Sequence, residues 1–435
     1  MRNEELLELI SFDRLRNSSV SREKDFLIES ESDKGRVINS AAFRRLQQKA
    51  QVFPLDQNAA VRTRLTHSLE VSQIGRFLAQ KVIDKLGLGG RDYGKLNAMV
   101  NIVETSCLIH DIGNPPFGHL GEAAIRKWFK NKSDSTELSY FDGNPQGFRI
   151  VSFLSGEDCY GLNLTTSLLL STIKYPWLQR SAGDNGSDPE KFGLFESDYA
   201  RYKDACSKLN WEVGKKFPFA KLMEAADDIA YCTSDLEDGL EKGVISEDLL
   251  SKEIGFYETI DAPVGKFVAF KTKLIREAVE SAAECFASDL QKIMNGTDVD
   301  LLPGSSASGQ KIKEIKGFAR KYIYSNEEVE RIEIAGNSAI SGILDHFDNL
   351  VSMDVDKFNY FIEGNYKKIK ENSCEFDFRV FNRLPKSYRD KYRMLVDSGS
   401  PEKLARKHLV TDFVSGMTDD FAISTYQVLH GIKVR

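Results

Sequence analysis

Proline is scarce and widely spaced in this chain, and this feature constrains the possible fold more than any other. Only 11 of the 435 residues are proline, and three long segments contain none: 55–114, 219–262 and 304–384. Because proline interrupts helices, these segments can form long ones. We therefore predict an all-α fold.

Hydrophobic periodicity supports the same prediction. Apolar residues recur at spacings of three and four, in the stripes Val71, Ile74, Leu78 and Val82, and Leu96, Val100, Val103 and Cys107. Alternation with period two is rare, and we interpret Asp377 to Phe381 as a candidate strand. The expected fold therefore contains at most a short β-hairpin or strand pair.

Composition and charge exclude several classes of protein. Hydrophobic residues make up 41% of the chain, as in globular proteins, and no run approaches the roughly 18 apolar residues that span a membrane. The first ten residues carry acids where a signal peptide is basic and then apolar. Six scattered cysteines argue against a disulfide framework, and the net charge of −6 argues against a general polyanion binder. We expect a cytoplasmic protein without a membrane partner.

Three of the six histidines, His67, His110 and His119, fall within 53 residues of one another. His67 lies at the predicted start of one helix, and His110 and Asp111 lie at the predicted end of the next, where Gly113 and two prolines stop it. Neighbouring residues at helix ends can face a common pocket. The cluster therefore indicates a candidate site.

Two further acids, Asp227 and Asp228, lie in an otherwise buried-looking helix, where an unpaired acid would be costly. Imidazoles and carboxylates together suit Mg or a divalent transition metal. Each residue taken alone is as consistent with a packing or capping role. The string HDIGNPPFGHLGE favours a site, because it places His119 and Glu122 three apart on one helical face.

These residues resemble a known family. His67, His110, Asp111 and Asp227 reproduce the H...HD...D pattern of the HD phosphohydrolase superfamily. The strings RTRLTHSLEV, HDIGNPPFGHLGE and EAADDIAY resemble those of its dGTP triphosphohydrolase (dGTPase) family, as does VTDFVSGMTDDFA near the C-terminus. The resemblance implies an HD-domain helical core with additional helices, and hydrolysis of dGTP or other dNTPs to the deoxynucleoside and tripolyphosphate.

The resemblance also implies that these four residues bind one divalent metal ion, for which Mn, Mg, Ni, Co, Fe and Zn all remain open. For the last ligand we prefer Asp227 over Asp228, since the acid of the superfamily usually follows a small residue. Helical geometry agrees, because Asp227, Tyr231 and Asp235 share a stripe at spacing four.

His119 and Glu122 are the predicted catalytic pair, with His119 as the proton donor or relay. Glu122 should raise the pKa of His119, whereas the start of a helix should lower it, and the sequence leaves the sign open. A pair that merely caps the helix is the alternative.

The substrate contacts are further predictions. Arg62 and Arg64 can reach phosphate oxygens, and the resemblance favours Arg64. By the same resemblance, phosphate contacts are expected from Lys174 and Lys191, and a contact with the sugar 3′ hydroxyl from Gln51. We also expect Asp235 to accept from that hydroxyl and Tyr231 to stack on the sugar face. Asn144 and Gln146 are further candidate contacts, although an Asn-Pro-Gln-Gly run is first of all a turn.

Segments rich in Gly, Ser, Asp and Pro predict loops at 180–190 and 295–310. We expect an N-terminal helical extension over 1–34, an HD-type catalytic region over 35–295 and a C-terminal helical region over 296–435 that packs on it. The C-terminal region is locally basic, at Lys313, Lys316, Arg320, Arg383, Lys386, Arg389, Lys391 and Arg393.

These basic residues resemble a surface for single-stranded nucleic acid or an effector nucleotide, but we favour a solvated face or a subunit contact in a homo-oligomer. Two other functions stay open. The chain could be another HD nucleotide phosphohydrolase, such as a phosphodiesterase or 5′-nucleotidase, or a non-catalytic sensor of nucleotides or single strands.

Overall fold

The structure is a computed structural model that describes residues 2–17, 25–55, 58–132, 136–179, 191–255 and 265–432. These ranges contain 21 α-helices and no β-sheet, so the prediction of an all-α fold is confirmed. Strand-like pairing in these ranges is limited to the isolated bridges Arg14 with Thr165, Ala50 with Thr63, and Leu178 with Leu194. The loop predicted at 180–190 lies outside the described residues.

Nine α-helices form the first part of the chain: α1 (Phe26–Ile38), α2 (Ala41–Arg45), α3 (Arg64–Lys85), α4 (Tyr93–Leu108), α5 (Gly118–Lys130), α6 (Gly143–Arg149), α7 (Thr166–Ser171), α8 (Tyr199–Lys208) and α9 (Pro218–Glu241). Short 3₁₀ or π segments lie at Arg2–Leu9, Leu46–Gln48, Glu137–Tyr140, Ile150–Leu154 and Glu196–Asp198.

Twelve α-helices follow: α10 (Glu247–Ile254), α11 (Lys266–Ser288), α12 (Leu290–Met294), α13 (Ala307–Tyr322), α14 (Glu327–His346), α15 (Asp348–Ser352), α16 (Val355–Glu363), α17 (Tyr366–Glu371), α18 (Glu375–Phe381), α19 (Lys386–Asp397), α20 (Glu402–Ser415) and α21 (Asp419–Leu429). None of the described helices is both long and apolar enough to cross a lipid bilayer.

Helix α3 is the centre of the larger hydrophobic core, and α4, α9 and α11 pack against it. It begins with a capping box, in which the side chains of Thr63 and Thr66 each accept a hydrogen bond from the other residue's backbone N–H. The predicted apolar stripe is buried, as expected: Val71, Ile74, Leu78 and Val82. The cap fixes where the helix starts, and the stripe fixes which face turns inward.

A second hydrophobic cluster joins the two halves of the chain. Phe117 and Phe129, at either end of α5, pack in one cluster with Ile340 of α14 and Phe413 of α20. The start of α5 therefore packs against helices from the second part of the chain. The division into regions at residues 34 and 295 stays a prediction, and α1 runs across the first of these positions.

Two secondary-structure predictions need correction. The segment interpreted as a strand is helix α18, because Phe378 and Phe381, three residues apart, both point into the aromatic cluster around Phe358. Spacing three, and not the local alternation, decides the fold of this segment. The predicted loop at 295–310 ends early, since Ser306 caps α13 by accepting from the N–H of Gly309 at 3.0 Å.

Candidate active site

Three neighbouring helices bring three of the predicted metal ligands together. His67 lies in the first turn of α3, His110 follows the end of α4, and Asp227 lies in the middle of α9. Nε2 of His67 lies 3.4 Å from Oδ1 of Asp227, and Nε2 of His110 lies 3.2 Å from the same oxygen. Ligand atoms of all three residues lie within 4.8 Å of one another, an arrangement that no other set of three or more His, Cys, Asp or Glu residues matches in the described ranges.

The hydrogen bonding of His110 fits a metal ligand. Its Nδ1 lies 2.8 Å from the carbonyl oxygen of Cys107, so Nδ1 carries the proton and Nε2 presents a lone pair. This Nε2 is buried, and nothing in the described part of the chain forms a hydrogen bond with it. A buried nitrogen without a partner is costly, and a divalent cation shared with Asp227 would satisfy it. The residues present therefore fit a divalent ion.

Asp227 and its neighbour Asp228 face opposite environments. Nζ of Lys174 lies 2.8 Å from Oδ2 of Asp227. Burial opposes ionisation of Asp227, but Lys174 holds its pKa well below the usual range. Asp228 is exposed and pairs with Lys316 at 2.6 Å. The structure thus brings Asp227, and not Asp228, to the histidines.

Asp111, the fourth predicted ligand, lies beside this group. Its Oδ1 is 3.6 Å from Nε2 of His110, and its Oδ2 accepts a hydrogen bond from Arg64. Gly118 makes room for that arginine: its φ is +55°, and a Cβ there would lie 2.6 Å from Nη2 of Arg64. Arg64 is therefore fixed between the first turns of α3 and α5.

His119 and Glu122 share the first turn of α5. Nδ1 of His119 lies 2.9 Å from Oε2 of Glu122, whose Oε1 accepts from the N–H of Gly143 at 2.9 Å. The His119 side chain is 85% exposed, whereas that of Glu122 is 5% exposed. The hydrogen bond with Glu122 raises the pKa of His119. The direction of this shift, which the sequence left open, is therefore upward.

One cavity gathers most of the predicted site residues. Its wall contains eleven of them: Gln51, Arg64, His110, Asp111, His119, Glu122, Asn144, Lys174, Lys191, Asp227 and Tyr231. Two more, His67 and Asp235, lie just behind it. His67 is fully buried against Asp227, and Asp235 follows Tyr231 by one helical turn.

Asn144 lies at the start of α6, where Asp142 caps the helix. Oδ1 of Asp142 accepts from the backbone N–H of Asn144 at 2.8 Å and from its side chain at 2.5 Å. Lys191 reaches the same carboxylate at 3.9 Å. Gln146 turns away from the cavity and donates to Asp412 at 3.0 Å, so its predicted substrate contact is wrong.

Two cations that the sequence predicted to contact ligands instead bond to groups within the protein. Arg62 forms ion pairs with Glu70, Glu237 and Asp238, and it is absent from the described wall of the cavity. Lys391 is buried and donates to backbone carbonyl oxygens, among them that of Phe153 at 2.7 Å. The prediction of Arg62 as a phosphate contact is therefore wrong, and so is that of Lys391 as part of a basic surface.

Sequence reasoning missed two charged residues that hold the loop between α4 and α5. Oδ1 of Asp419 accepts from the N–H of Phe117 at 3.0 Å, and its Oδ2 accepts from the N–H of Ala50 at 2.9 Å. Nζ of Lys49 donates to the carbonyl oxygen of Asn114 at 2.5 Å. The string VTDFVSGMTDDFA, which resembles the family, contains Asp419, but the string does not indicate which residues Asp419 contacts.

Known protein families match two parts of the chain. Residues 64–142 match the HD domain, and residues 378–428 match the phosphohydrolase-associated domain. The first match contains the start of α3, the loop after α4 and the start of α5. The second contains Asp419, which contacts Phe117 within the first match, and Asp412, which contacts Gln146 just beyond it.

Named relatives cover nearly the whole chain. Deoxyguanosinetriphosphate triphosphohydrolase of Serratia proteamaculans is 32% identical over 97% of both proteins, and so is that of Yersinia pestis. A probable deoxyguanosinetriphosphate triphosphohydrolase of Pseudomonas aeruginosa is 32% identical over 94% of both. The resemblance inferred from the motifs is confirmed: the chain is an HD-domain hydrolase of the deoxyguanosinetriphosphate triphosphohydrolase family.

Proposed function

We propose that this protein hydrolyses dGTP, and other dNTPs where its base preference allows, between the 5′ oxygen and the α-phosphorus. The products are the deoxynucleoside and tripolyphosphate. One observation supports this most: a single cavity joins the His and Asp group, the exposed His119 with its buried carboxylate partner, and the cations Arg64, Lys174 and Lys191. Relatives that match 94% to 97% of the chain are named as deoxyguanosinetriphosphate triphosphohydrolases, in agreement with this proposal.

His67, His110 and Asp227 would hold one divalent ion, with Asp111 as the fourth ligand. When bound, such an ion lowers the pKa of coordinated water and polarises a phosphate oxygen. Two nitrogens and two carboxylates accept Mn, Mg, Ni, Co, Fe and Zn. Elemental analysis of the purified protein identifies the ion.

His119 gives its proton to the leaving 5′ oxygen. Its Nδ1 is engaged by Glu122, which leaves Nε2 for the substrate. Burial opposes ionisation of Glu122, but the bond to His119 lowers the pKa of this carboxyl, and the same bond raises the pKa of His119. An imidazolium in the wall of the cavity is a competent general acid.

Arg64, Lys174 and Lys191 supply positive charge for the triphosphate. Lys174 bonds to Asp227 and also lines the cavity, so it lies at the α-phosphate end of the substrate. Lys191 is 42% exposed and suits the outer phosphates. A guanidinium and two ammonium groups balance most of the charge of a triphosphate.

Gln51, Tyr231 and Asp235 form the sugar corner. Oε1 of Gln51 and Oδ1 of Asp235 are buried acceptors that no donor in the described residues satisfies. A sugar 3′-hydroxyl is such a donor. The ring of Tyr231 lines the cavity beside them, where it would crowd the 2′ position of a ribonucleotide.

Phosphorus NMR of the products tests the proposal directly. The protein is incubated with each dNTP and each NTP, with Mg or Mn, in the presence and absence of a single-stranded oligonucleotide. We expect tripolyphosphate from dNTPs and nothing from NTPs. Release of monophosphate or pyrophosphate would instead identify another HD phosphohydrolase, and binding without hydrolysis would identify a sensor. Light scattering on the same samples tests the predicted homo-oligomer and the effect of the oligonucleotide on it.

A further inference from the structure

We propose that Tyr324, at the C-terminal end of α13, is a positioning residue that sets the selectivity of the sugar corner for a 3′-hydroxyl. It acts through Tyr231 and Asp235, with which it forms a chain of hydrogen bonds. The inference rests on the proposed function and adds to the site a residue from the predicted C-terminal region.

The contacts of Tyr324 are side chain to side chain. Its hydroxyl lies 2.6 Å from the hydroxyl of Tyr231, and it also hydrogen-bonds to Oδ2 of Asp235. The two tyrosine rings are 6.4 Å apart at 43°. The Tyr324 hydroxyl is the donor in both contacts, and because a hydroxyl has one proton, it donates to one of the two oxygens at a time. Tyr324 therefore holds Tyr231 and Asp235 from one position between them.

This arrangement leaves two acceptor oxygens of the sugar corner without a donor. Oδ1 of Asp235 and Oε1 of Gln51 are buried and have no hydrogen-bond partner in the described residues. A 3′-hydroxyl satisfies such a corner by donating to it. A 3′-deoxy sugar leaves buried acceptors unpaired, which is the costly case.

The local fold explains why Tyr324 reaches α9. Helix α13 ends at Tyr322, and the N–H of Tyr324 turns back to the carbonyl oxygen of Ala319 at 3.1 Å. The next side chain, Ile323, is fully buried against Gly239 of α9, where a Cβ would lie 3.0 Å from its Cδ1. Gly239 follows Asp235 by one turn. The small residue thus lets the helix end approach and places the Tyr324 hydroxyl on the carboxylate.

The surroundings of Asp235 oppose its ionisation, and the hydrogen bond from Tyr324 counteracts them. Burial raises the pKa of Asp235 to about 7, and the nearby Asp238 and Asp227 act in the same direction. Tyr324 and Arg62 oppose them. Tyr324 is the group that fixes the orientation of this carboxyl, since Arg62 is itself bonded to Glu70 and Asp238. Without the Tyr324 hydroxyl, Asp235 and Tyr231 can bond to each other or turn.

The test compares dGTP with 2′,3′-dideoxy-GTP as substrates of the wild type and of Tyr324→Phe. We expect the ratio of kcat/KM for dGTP to that for the dideoxy analogue to fall about tenfold in the variant, the worth of one hydrogen bond to a charged group. The loss should fall on dGTP and appear mainly in KM, because the reacting atoms keep their partners. A merely structural role would lower kcat/KM for both substrates by the same factor and leave their ratio unchanged.

The matched control is Tyr322→Phe, which removes a hydroxyl from the same helix end, where the ring packs 4.8 Å from that of Phe318. Its ratio should equal that of the wild type. Gly239→Ala presses on Ile323 while it keeps every hydroxyl, and it should lower the ratio to a smaller degree.

An unchanged ratio in Tyr324→Phe, with unchanged thermal stability, would overturn the inference and leave the proposed function standing. A wild-type protein that releases no tripolyphosphate from dGTP or any other dNTP would overturn both.

Discussion

Glu122 holds His119 by a hydrogen bond of 2.9 Å, and its second oxygen is held in turn by the N–H of Gly143 at the same distance. Both acceptor oxygens of the carboxylate are thus occupied. A glutamine in this place has one acceptor oxygen, so it cannot accept from His119 and Gly143 on separate oxygens, and it carries no charge to stabilise an imidazolium. The imidazole of His119 therefore depends on the carboxylate for its orientation and its charge.

The first prediction concerns the pH dependence of activity. Glu122 raises the pKa of His119. In the proposed reaction the acid form of His119 is the active one, so we expect activity below that pKa and its loss as the pH rises through it. Glu122→Gln removes the cause of the raised pKa. The alkaline limb of the kcat/KM profile should therefore move to lower pH in this variant.

His119→Ala provides the reference for that profile. It should lower kcat by about 10²- to 10⁴-fold, the usual contribution of a general acid, and its alkaline limb should vanish. If the limb is identical in the wild type and in Glu122→Gln, the titrating acid is some other group.

The second prediction uses adjacent aspartates as a matched pair. Asp227→Asn removes a carboxylate that lies within 3.4 Å of both imidazoles, whereas Asp228→Asn removes an exposed partner of Lys316. We expect the first variant to lose its bound metal and its activity, and the second to keep both. Elemental analysis and turnover of dGTP measure the two properties. Equal metal content in the two variants would remove Asp227 from the ligand set.

The sequence was informative wherever one helix or one turn carries the whole relationship. His119 and Glu122 are three residues apart, and the stripe from Val71 to Val82 follows a single helix. Asp377 to Phe381 shows the limit of such local reasoning. Its alternation resembles a strand, but the partners that bury Phe378 and Phe381 come from α16, outside the pattern.

Contacts between distant residues could not be predicted. Asp419 contacts Ala50 across 369 positions, and Tyr324 contacts Asp235 across 89. No periodicity links such pairs, because each helix satisfies its own pattern whatever it packs against. Lys391 was misassigned for the same reason: a lysine among basic residues resembles a surface residue until the carbonyl oxygen of Phe153 is placed beside it.

The third prediction concerns Gly118, which has a φ of +55° and lies against Arg64. Gly118→Ala costs about 1–2 kcal/mol for a side chain in the left-handed region, and its Cβ displaces the guanidinium from Asp111. We expect KM for dGTP to rise with the loss of this phosphate contact. Gly317→Ala, in open space on α13, should instead stabilise the protein by about 0.5–1 kcal/mol. Steady-state kinetics and denaturant unfolding distinguish the two, and an unchanged KM in Gly118→Ala would contradict the role of Arg64.

The last prediction concerns the hydrogen bonds that join Asp419 of the C-terminal region to the loop between α4 and α5, called the catalytic loop below. Asp419 accepts from the N–H groups of Phe117 and Ala50, and Phe117 has a φ of +61°, which a residue with a side chain keeps only when its surroundings hold it. His119 follows Phe117 by two positions, and Gln51 follows Ala50 by one. One carboxylate therefore positions both the proton donor and the sugar corner.

Asp419→Asn keeps the shape of the side chain but loses one acceptor, so one of these buried N–H groups is left unpaired at about 1–3 kcal/mol. Because a shift of about 1 Å at a catalytic group can cost about 10²-fold in rate, kcat for dGTP should fall well beyond what the loss of stability explains. Asp420→Asn is the matched control, since Asp420 is the exposed neighbour, and it should change neither property. If Asp419→Asn is destabilised yet turns over dGTP at the wild-type rate below its melting temperature, the C-terminal region supports the fold without positioning the catalytic loop.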